Sequence, residues 1–399
     1  MLIEVNTGLP VEKSCLTGKK LALTIFFDVF ILSLLGLVLV MSASSTYSAV
    51  KFDSIFHLFN SHFSKVLLGI FCMLLFSFIP YEIYKDFSKT AILLTTALLV
   101  LTLFIAPDYK GAGRWIDLHF VSFQPADIAK LVLLIHLSAL LEDKSDKLKN
   151  YKEGFLYMFI WVIVISGLIL IQPNISTGII LVLISLTLLY VGGARLGHIT
   201  SSLFFSLLAV GAVALLFAHS RSRIFSFINS INNGGDVNIQ VKQAILGLGS
   251  GGIFGVGLGH SMQSNLFLPE AYGDFIFAIL GEELGFIGSV VVIISYFVLF
   301  VSGILVAKKA KDKFGQLLAF GITFSIIIYA FINIAVSTGL VPTTGLPLPF
   351  ISYGGTSIIF LCISIGILIN IALSSLPRQQ VSSTEGQTSS VEKKYRKNN

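Results

Sequence analysis

The sequence predicts an all-α polytopic membrane protein in which a bundle of ten transmembrane helices takes up most of the chain. Of its 399 residues, 55% are hydrophobic and only 12% are charged. The apolar residues occur in long blocks, and many of these blocks are long enough to cross a hydrocarbon core of about 30 Å. No segment is left over for a soluble catalytic domain.

Ten apolar runs define the predicted helices in chain order. Two of them, 155–171 and 175–193, are separated only by the letters QPN. A single helix through both would be roughly 58 Å long at about 1.5 Å per residue, so Pro173 marks a tight hairpin. The runs begin near Leu21, Lys65, Thr90, Ala126, Phe155, Ile175, Ile199, Phe275, Gln316 and Phe350.

The distribution of Lys and Arg predicts the side of the membrane on which each loop lies. Ten crossings place both termini on one side, and that side carries 19 of the 27 Lys and Arg residues. Both termini are therefore expected in the cytoplasm, with a large external loop, 219–273, between helices 7 and 8. This asymmetry explains the net charge of +6 without a nucleic-acid partner.

Polar segments flank the predicted membrane domain, 21–376. Residues 1–20 are expected to form a cytoplasmic N-terminal tail. The run 21–41 is too long for the apolar region of a cleavable signal, so it is interpreted as an uncleaved signal anchor. The segment 377–399, rich in Ser, Gln, Thr and Lys, is expected to be a disordered cytoplasmic tail.

The external loop contains the glycine-rich stretch GLGSGGIFGVGLG at 247–259. Gly247, Gly249 and Gly252 satisfy the G-x-G-x-x-G pattern of dinucleotide-binding proteins. That fingerprint needs a preceding strand and a soluble βαβ unit, neither of which is expected here, so the match is accidental. The glycines instead predict a loop that packs closely on the bundle or on a ligand.

Three further stretches are rich in polar and turn residues, and with GLVLVMSASS at 36–45 they resemble the SEDS family (shape, elongation, division and sporulation). The resemblance runs from about Asp28 to about Leu376. It implies a ten-helix glycosyltransferase that polymerises lipid II into peptidoglycan. SASS, LPEA and GEELG favour the FtsW-like division branch over the RodA-like elongation branch. The stretches are GAGRWIDLHFVSFQPADIAK at 111–130, LPEAYGDFIFAILGEELGFIG at 268–288 and NIAVSTGLVPTTGLPLPFISYGGTS at 333–357.

Three positions depart from the family pattern. Asp127 stands where the family usually has Glu, QPNIST at 172–177 stands where it usually reads Q-P-D-x-G-T, and AYGDF replaces a sequence in which His-Thr often precedes the Asp. The second departure removes a carboxylate. No role is therefore assigned to that position.

The reaction implied by the resemblance is inverting glycosyl transfer, in which the 4-hydroxyl of an acceptor sugar attacks the anomeric carbon of a sugar on undecaprenyl pyrophosphate. Such a site needs a base, cations for the pyrophosphate and a membrane groove. Asp274, before FIFAIL, is also a good candidate for a helix N-cap, but the family's essential aspartate aligns with it, and this favours the base. Asp274 is also the candidate ligand if a divalent cation, Mg or Mn, is used.

The other three carboxylates of 268–288 have different expected roles. Glu270 either contacts substrate or shapes the loop as a solvated charge. Glu282 and Glu283 enter an apolar run where an unpaired charge is costly, so at least one should face the bundle interior. We expect the two to pair with a cation or with backbone donors and to hold the eighth helix in place.

Several other polar residues are candidate substrate ligands. Asp127 and Lys130 share a helix face at i, i+3 spacing and can pair, although a Lys near a helix end can also snorkel to the headgroups. The loop PLPFISYGG either contacts substrate or caps the bundle. Arg114, Arg221 and Arg223 can bind phosphate, and the last two can equally bind anionic headgroups. The predicted substrate-binding set is Arg114, Asp127, Lys130, Gln243, Glu270, Ser352, Tyr353 and Gly354.

The resemblance also implies the biological setting. The expected partners are lipid II, a class B penicillin-binding protein and other divisome membrane proteins, and the expected location is the bacterial cytoplasmic membrane at the division septum. Two other function classes stay open from sequence. Intramembrane charges and interrupted helices also mark transport paths, as in a lipid II flippase, and a divisome scaffold would need neither Asp274 nor a lipid groove.

Overall fold

The chain folds into a helical bundle. The computed structural model describes residues 11–105, 114–117, 122–233 and 238–375. A two-residue antiparallel pair, β1 (Ile116–Asp117) with β2 (Ser122–Phe123), precedes the fourth helix, and the predicted all-α class is otherwise confirmed. The helices are α1 (Val11–Phe52), α2 (His57–Phe78), α3 (Glu82–Ile105), α4 (Pro125–Asp143), α5 (Leu156–Ile171), α6 (Ile175–Val191), α7 (Leu196–Leu216), α8 (Ala218–Asn233), α9 (Ile239–Ser250), α10 (Ile276–Lys309), α11 (Lys313–Ser337) and α12 (Ser357–Ser374).

All ten predicted runs contribute to helices, and eight helices among the described residues are long and apolar enough to cross a membrane. Of the other two, α6 is apolar but has only 17 residues. Helix α4 carries Asp127 and Lys130 near its start and Glu142 and Asp143 at its end. Both helices pack against each other and against α11. Neighbouring helices therefore shield the polar ends of α4 from lipid.

The predicted hairpin at Pro173 is confirmed, because only residues 172–174 separate α5 from α6. At the N-terminus, α1 begins at Val11 and so includes half of the predicted tail, 1–20. The predicted tail 377–399 lies outside the described residues.

The last helix begins later than predicted. The tenth apolar run was expected to begin near Phe350, but α12 begins at Ser357. Residues 339–356, here called the 339–356 loop, are not helical. Pro347 and Pro349 have no backbone N–H to donate, which disfavours a helix in this apolar stretch. The loop folds over the end of the bundle, where Leu346, Leu348 and Ile351 are buried.

The segment 219–273, predicted as a large loop, contains α8, α9 and a π-helical turn, Gln263–Phe267. Gly247 and Gly249 lie inside α9 and do not follow a strand. The dinucleotide fingerprint is therefore accidental, as its context predicted. Helix α9 packs against α10.

The glycine-rich turn after α9 fills a break in α10. Gly285 has φ +67° and ψ −165°, values that no helix tolerates and that glycine adopts most readily. The amides of Val256 and Gly257 donate to the carbonyls of Glu282 and Glu283, at 2.9 Å and 3.0 Å. The turn thus replaces helical hydrogen bonds that the break removes, and the predicted close packing is against the bundle.

Gly255 gives a direct test of this close packing. Its φ is +84°, and a Cβ there would lie 2.1 Å from the Glu283 carbonyl oxygen. We expect Gly255→Ala to cost at least about 1–3 kcal/mol of stability, through backbone strain alone. In Gly249→Ala, the matched control, a Cβ meets nothing within 4 Å, and the helix should be unchanged or slightly stabilised. Thermal unfolding in detergent measures both, and equal melting temperatures for the two variants would contradict the contact.

Candidate functional site

A cavity of about 660 Å³ opens at one end of the bundle. The C-terminal end of α1, the N-terminal ends of α2, α4 and α12, and the 339–356 loop all contribute to its wall. Most of the predicted site residues line it. The members of the predicted set that do so are Arg114, Asp127, Lys130, Glu270, Asp274, Tyr353 and Gly354.

Asp274 lies in the cavity wall immediately before α10. Phe275 occupies the N-cap position of α10, so Asp274 lies one residue before the cap. The Asp274 carbonyl accepts a hydrogen bond of 2.8 Å from Nδ2 of the buried Asn333. The same Nδ2 donates to the carbonyl of Leu346 at 2.7 Å. One amide therefore fixes the backbone of Asp274 to the 339–356 loop.

Ser352 reinforces this attachment. Its hydroxyl donates to the Gly273 carbonyl at 2.6 Å and accepts from the Leu348 amide at 2.7 Å. The side chain is buried, with 3% of the residue exposed, and it is not among the residues that line the cavity. The Ser352 hydroxyl is thus engaged by backbone groups next to Asp274, where it positions that residue.

Two guanidinium groups approach the Asp274 carboxylate. A Cβ built on Gly345 would lie 3.6 Å from Asp274 Oδ2 and 3.8 Å from Arg223 Nη1, which places these two atoms on the same side of the 339–356 loop. Arg223 donates to the Thr343 carbonyl at 3.4 Å. Arg114 donates to the Gln172 carbonyl at 3.3 Å and to the next carbonyl in the α5–α6 hairpin. Both arginines are thereby held beside Asp274 by backbone carbonyls, and Arg114 lines the cavity.

The charges of Arg114, Arg223 and Asp274 influence one another through the pKa values of the two arginines. Burial lowers the pKa of Arg114, the neighbouring Arg223 lowers it further, and Asp274 acts in the opposite direction. The pKa of Arg223 is likewise lowered by burial and supported by Asp274. Neither Arg223 nor Arg221 is among the residues that line the cavity, but Arg223 is half-buried next to Asp274, whereas Arg221 is exposed. The structure therefore separates two arginines that the sequence left equivalent.

Asp127 and Lys130 form an ion pair in the cavity wall. Lys130 Nζ lies 2.7 Å from Asp127 Oδ1 and 4.7 Å from the centre of the Tyr329 ring. Asp127 is buried, and among the described residues its Oδ2 has no hydrogen-bond partner. The pairing expected from the i, i+3 spacing is present, and the ammonium group faces the cavity as well as its partner.

Two further predicted substrate ligands, Glu270 and Gln243, differ in their position relative to the cavity. Glu270 lines the cavity with a left-handed backbone, φ +59°. Burial raises the pKa of the adjacent Tyr272, and the Glu270 charge raises it further. Gln243 lies half-buried on α9 and is not among the residues that line the cavity. Glu270 is thus a neighbour of the aromatic wall, whereas Gln243 is remote from it.

Glu282 and Glu283 are buried, with 2% and 1% exposure, and both accept hydrogen bonds from neighbouring segments. Glu282 accepts from the amide of Met262 at 3.0 Å and from the hydroxyl of Ser261 at 2.5 Å. Glu283 accepts from the Ser42 hydroxyl and from the Gly259 amide. A cation or backbone donors were expected as partners, and the observed donors are backbone amides and hydroxyl groups. These contacts attach α10 to α1 and to the turn after α9.

Several cavity residues were not identified from sequence, among them Lys65 and the aromatic side chains of Trp115 and Tyr272. In the sequence, Lys65 marks only the start of the second apolar run. A Lys at the start of an apolar run carries no more signal than that, and the contact that places it in the cavity is with Tyr353, 288 residues away.

A divalent cation does not fit the surroundings of Asp274. Among the described residues, no group of three or more His, Cys, Asp or Glu side chains is placed to hold a metal ion. The charges that couple to Asp274 are guanidinium groups, which would repel a divalent cation.

Comparison with known sequences identifies close relatives over nearly the whole chain. The family model that describes a cell cycle protein (FtsW, RodA, SpoVE) matches residues 22–376. A probable peptidoglycan glycosyltransferase FtsW from Geobacter sp. (strain M18) is 38% identical over 345 residues, covering 86% of this chain and 94% of the relative. Stage V sporulation protein E from Bacillus subtilis (strain 168) is 33% identical over 361 residues, which cover 90% of this chain and 99% of that relative.

Solved structures share the fold. One, of a peptidoglycan synthase complex that coordinates polymerization and crosslinking, has a TM-score of 0.71 at 22% identity and covers 89% of this chain and 98% of that one. The structure of the rod shape determining protein RodA of Thermus thermophilus matches this chain with a TM-score of 0.66 at 23% identity, and the match covers 88% of this chain and 97% of RodA. From the family model and these relatives, the chain belongs to the FtsW, RodA and SpoVE family of cell cycle proteins, the family that its motifs predicted.

Proposed function

We propose that the protein is a peptidoglycan glycosyltransferase that polymerises lipid II into glycan strands at the outer face of the bacterial cytoplasmic membrane. The observation that carries this proposal is the cavity wall that contains Asp274, Arg114 and Lys130, with Arg223 next to Asp274. A carboxylate and cations in one membrane cavity match the base and the pyrophosphate ligands that the reaction needs. Relatives named as probable peptidoglycan glycosyltransferases support the same activity.

In the proposed mechanism, Asp274 accepts the proton of the acceptor 4-hydroxyl as its oxygen attacks the anomeric carbon of the donor sugar. The new glycosidic bond forms on one face of that carbon, and the bond to the pyrophosphate oxygen breaks on the other, with inversion. Undecaprenyl pyrophosphate leaves with the bonding electrons. Arg114 and Arg223 stabilise the charge that develops on it, because guanidinium groups bind phosphate bidentately.

The topology that suits this chemistry has ten crossings, with both termini in the cytoplasm and the cavity open to the outside. It rests on the excess of Lys and Arg in alternate loops. We expect a cysteine at position 242, an exposed site on α9, to react with an impermeant thiol reagent added to intact cells. A cysteine at position 147, exposed in the loop after α4, should react only after the membrane is opened. The reverse pattern would contradict the topology.

The proposed partner is a class B penicillin-binding protein that crosslinks the new strand, together with other divisome membrane proteins. The FtsW-named relatives favour a role in division over elongation. Imaging of the labelled protein in dividing cells tests this role, because the division branch predicts a septal band and the elongation branch predicts signal along the side wall.

The decisive experiment gives labelled lipid II to the purified protein in complex with its penicillin-binding protein. We expect glycan polymer, and none when the Asp274→Asn variant replaces the wild type. A flippase would move lipid II across the bilayer of a vesicle without making polymer, and a scaffold would do neither.

A further inference from the structure

Lys65 also lines the cavity, on the wall formed by α2 and the 339–356 loop; the other cationic side chains among the lining residues are Lys51, Arg114 and Lys130. Lys65 Nζ lies 3.1 Å from Ser61 Oγ and 3.5 Å from the Tyr353 hydroxyl, and 5.0 Å from the centre of the Tyr353 ring. Within the described part of the chain, Lys65 contacts these hydroxyls and this ring but no carboxylate. Its charge is therefore not neutralised there by an acidic side chain, unlike that of Lys130.

The hydroxyls around Lys65 are fixed in place. Ser61 Oγ and the Tyr353 hydroxyl are 3.2 Å apart. The Tyr353 ring packs between His62, at 5.7 Å, and Tyr272, at 5.7 Å with an interplanar angle of 82°. The Tyr353 amide also donates to the Tyr272 carbonyl at 2.9 Å. One ammonium group and two hydroxyl groups thus converge in a rigid arrangement that suits the oxygens of a phosphate.

The proposed reaction supplies two such phosphates at this depth. Glycan polymerisation joins two lipid-linked molecules, and each carries its own pyrophosphate. The leaving pyrophosphate is bonded to the anomeric carbon that reacts near Asp274, where Arg114 and Arg223 lie. The acceptor keeps its pyrophosphate, which its disaccharide separates from the reacting hydroxyl. A cationic group elsewhere in the same cavity would therefore suit the acceptor pyrophosphate, and Lys65, which has no carboxylate partner among the described residues, is such a group.

We propose that Lys65, Ser61 and Tyr353 form a second phosphate-binding subsite, which holds the pyrophosphate of the acceptor lipid. This inference rests on the proposed function. An aromatic wall joins the subsite to the segment that carries Asp274, because the Tyr353 ring packs on Tyr272 and the Tyr272 ring packs on Tyr47, with ring centres 5.4 Å apart in the last pair. These rings line the path along which the acceptor disaccharide extends to the base.

The test counts lipid II molecules bound to the complex of the full chain with its penicillin-binding protein. In the Asp274→Asn background, which binds without turnover, we expect two labelled lipid II molecules per chain at saturation. Adding Lys65→Gln should weaken the binding of one of these two lipid II molecules by about ten- to a hundredfold, which is the usual effect of losing a charged hydrogen bond. Lys65→Arg, which keeps the positive charge, should retain the wild-type affinity of that second site. Lys242→Gln, which removes an exposed charge from α9 outside the cavity, is the matched control.

A kinetic measurement accompanies the binding assay. With Asp274 intact, Lys65→Gln should raise the KM for lipid II more than it lowers kcat, because a group remote from the reacting atoms contributes to binding. Two sites of unchanged affinity in Lys65→Gln would overturn the subsite and leave the proposed function standing. Displacement of the second lipid II by an equal concentration of phosphatidylglycerol would also overturn it, in favour of a general phospholipid site. A wild-type complex that neither binds lipid II nor makes polymer would overturn both proposals.

Discussion

Replacing Asp274 with Asn is expected to give a folded protein that inserts in the membrane, binds its penicillin-binding protein and makes almost no glycan. Asn has nearly the same shape but cannot accept the proton of the attacking hydroxyl. Loss of a general base lowers the rate by about 10²–10⁴-fold. Polymerisation of labelled lipid II, resolved by chain length, measures the loss.

The contacts of Asp274 separate this catalytic effect from a structural one. Its backbone is held by Asn333 and, through Gly273, by Ser352, and both contacts survive in the Asn variant because they involve carbonyl groups. The N-cap of α10 belongs to Phe275. The cost of a lost cap, about 0.5–2 kcal/mol, is not expected in either case, because Asn caps a helix as well as Asp does. The variant loses the attraction between the carboxylate and the guanidinium groups of Arg114 and Arg223, so its unfolding temperature is measured beside its activity and should fall only slightly.

Asp53→Asn provides the matched control for this substitution. Asp53 is an exposed carboxylate after α1, outside the cavity, with φ +53°, a conformation that Asn tolerates well. The same change of side chain there should leave polymerisation unaltered. Near wild-type activity in Asp274→Asn would show that the base is elsewhere and that Asp274 only shapes the cavity.

The bundle was largely predictable because apolar runs report local burial in lipid. The hairpin at Pro173 and the starts of most helices follow from runs of adjacent residues. The late start of α12 has a local cause in Pro347 and Pro349, although the apolar run itself continues through them. The break at Gly285 does not follow from adjacent residues, because it depends on a partner distant in sequence. At Gly285 the partner is the turn after α9, whose amides replace the helical ones. A continuous apolar run gives no signal of such a break.

The site was predictable to the same extent. Asp127 and Lys130 were paired correctly because i, i+3 spacing on one helix is a local property. The positioning role of Ser352 and the place of Lys65 depend on contacts across the 339–356 loop. Gln243, predicted as a substrate ligand, lies on α9 and is not among the residues that line the cavity. Side-chain chemistry and most of the cavity lining were thus predictable, whereas contacts between segments distant in sequence were not.

Lys130→Ala is expected to abolish polymerisation while the protein remains in the membrane. The substitution removes an ammonium group from the cavity and leaves the Asp127 carboxylate buried without its partner. Breaking a buried pair from one side typically costs about 3–5 kcal/mol, so lost activity alone would not distinguish a substrate ligand from a structural one. A second variant is needed to separate these roles.

The double variant Asp127→Asn, Lys130→Met removes both charges and nearly preserves side-chain volume. Replacing a buried ion pair by uncharged groups of similar size is often neutral for stability, so this protein should unfold near the wild-type temperature. If Lys130 binds pyrophosphate, the double variant stays inactive, because the lost cation contributes a charged hydrogen bond of about 1.5–3 kcal/mol. If the pair only holds α4 against Tyr329 and α11, neutralising both partners restores glycan synthesis. Wild-type polymer from the double variant would therefore reduce Lys130 to a structural residue, whereas a stable, inactive protein would assign its ammonium group to the substrate.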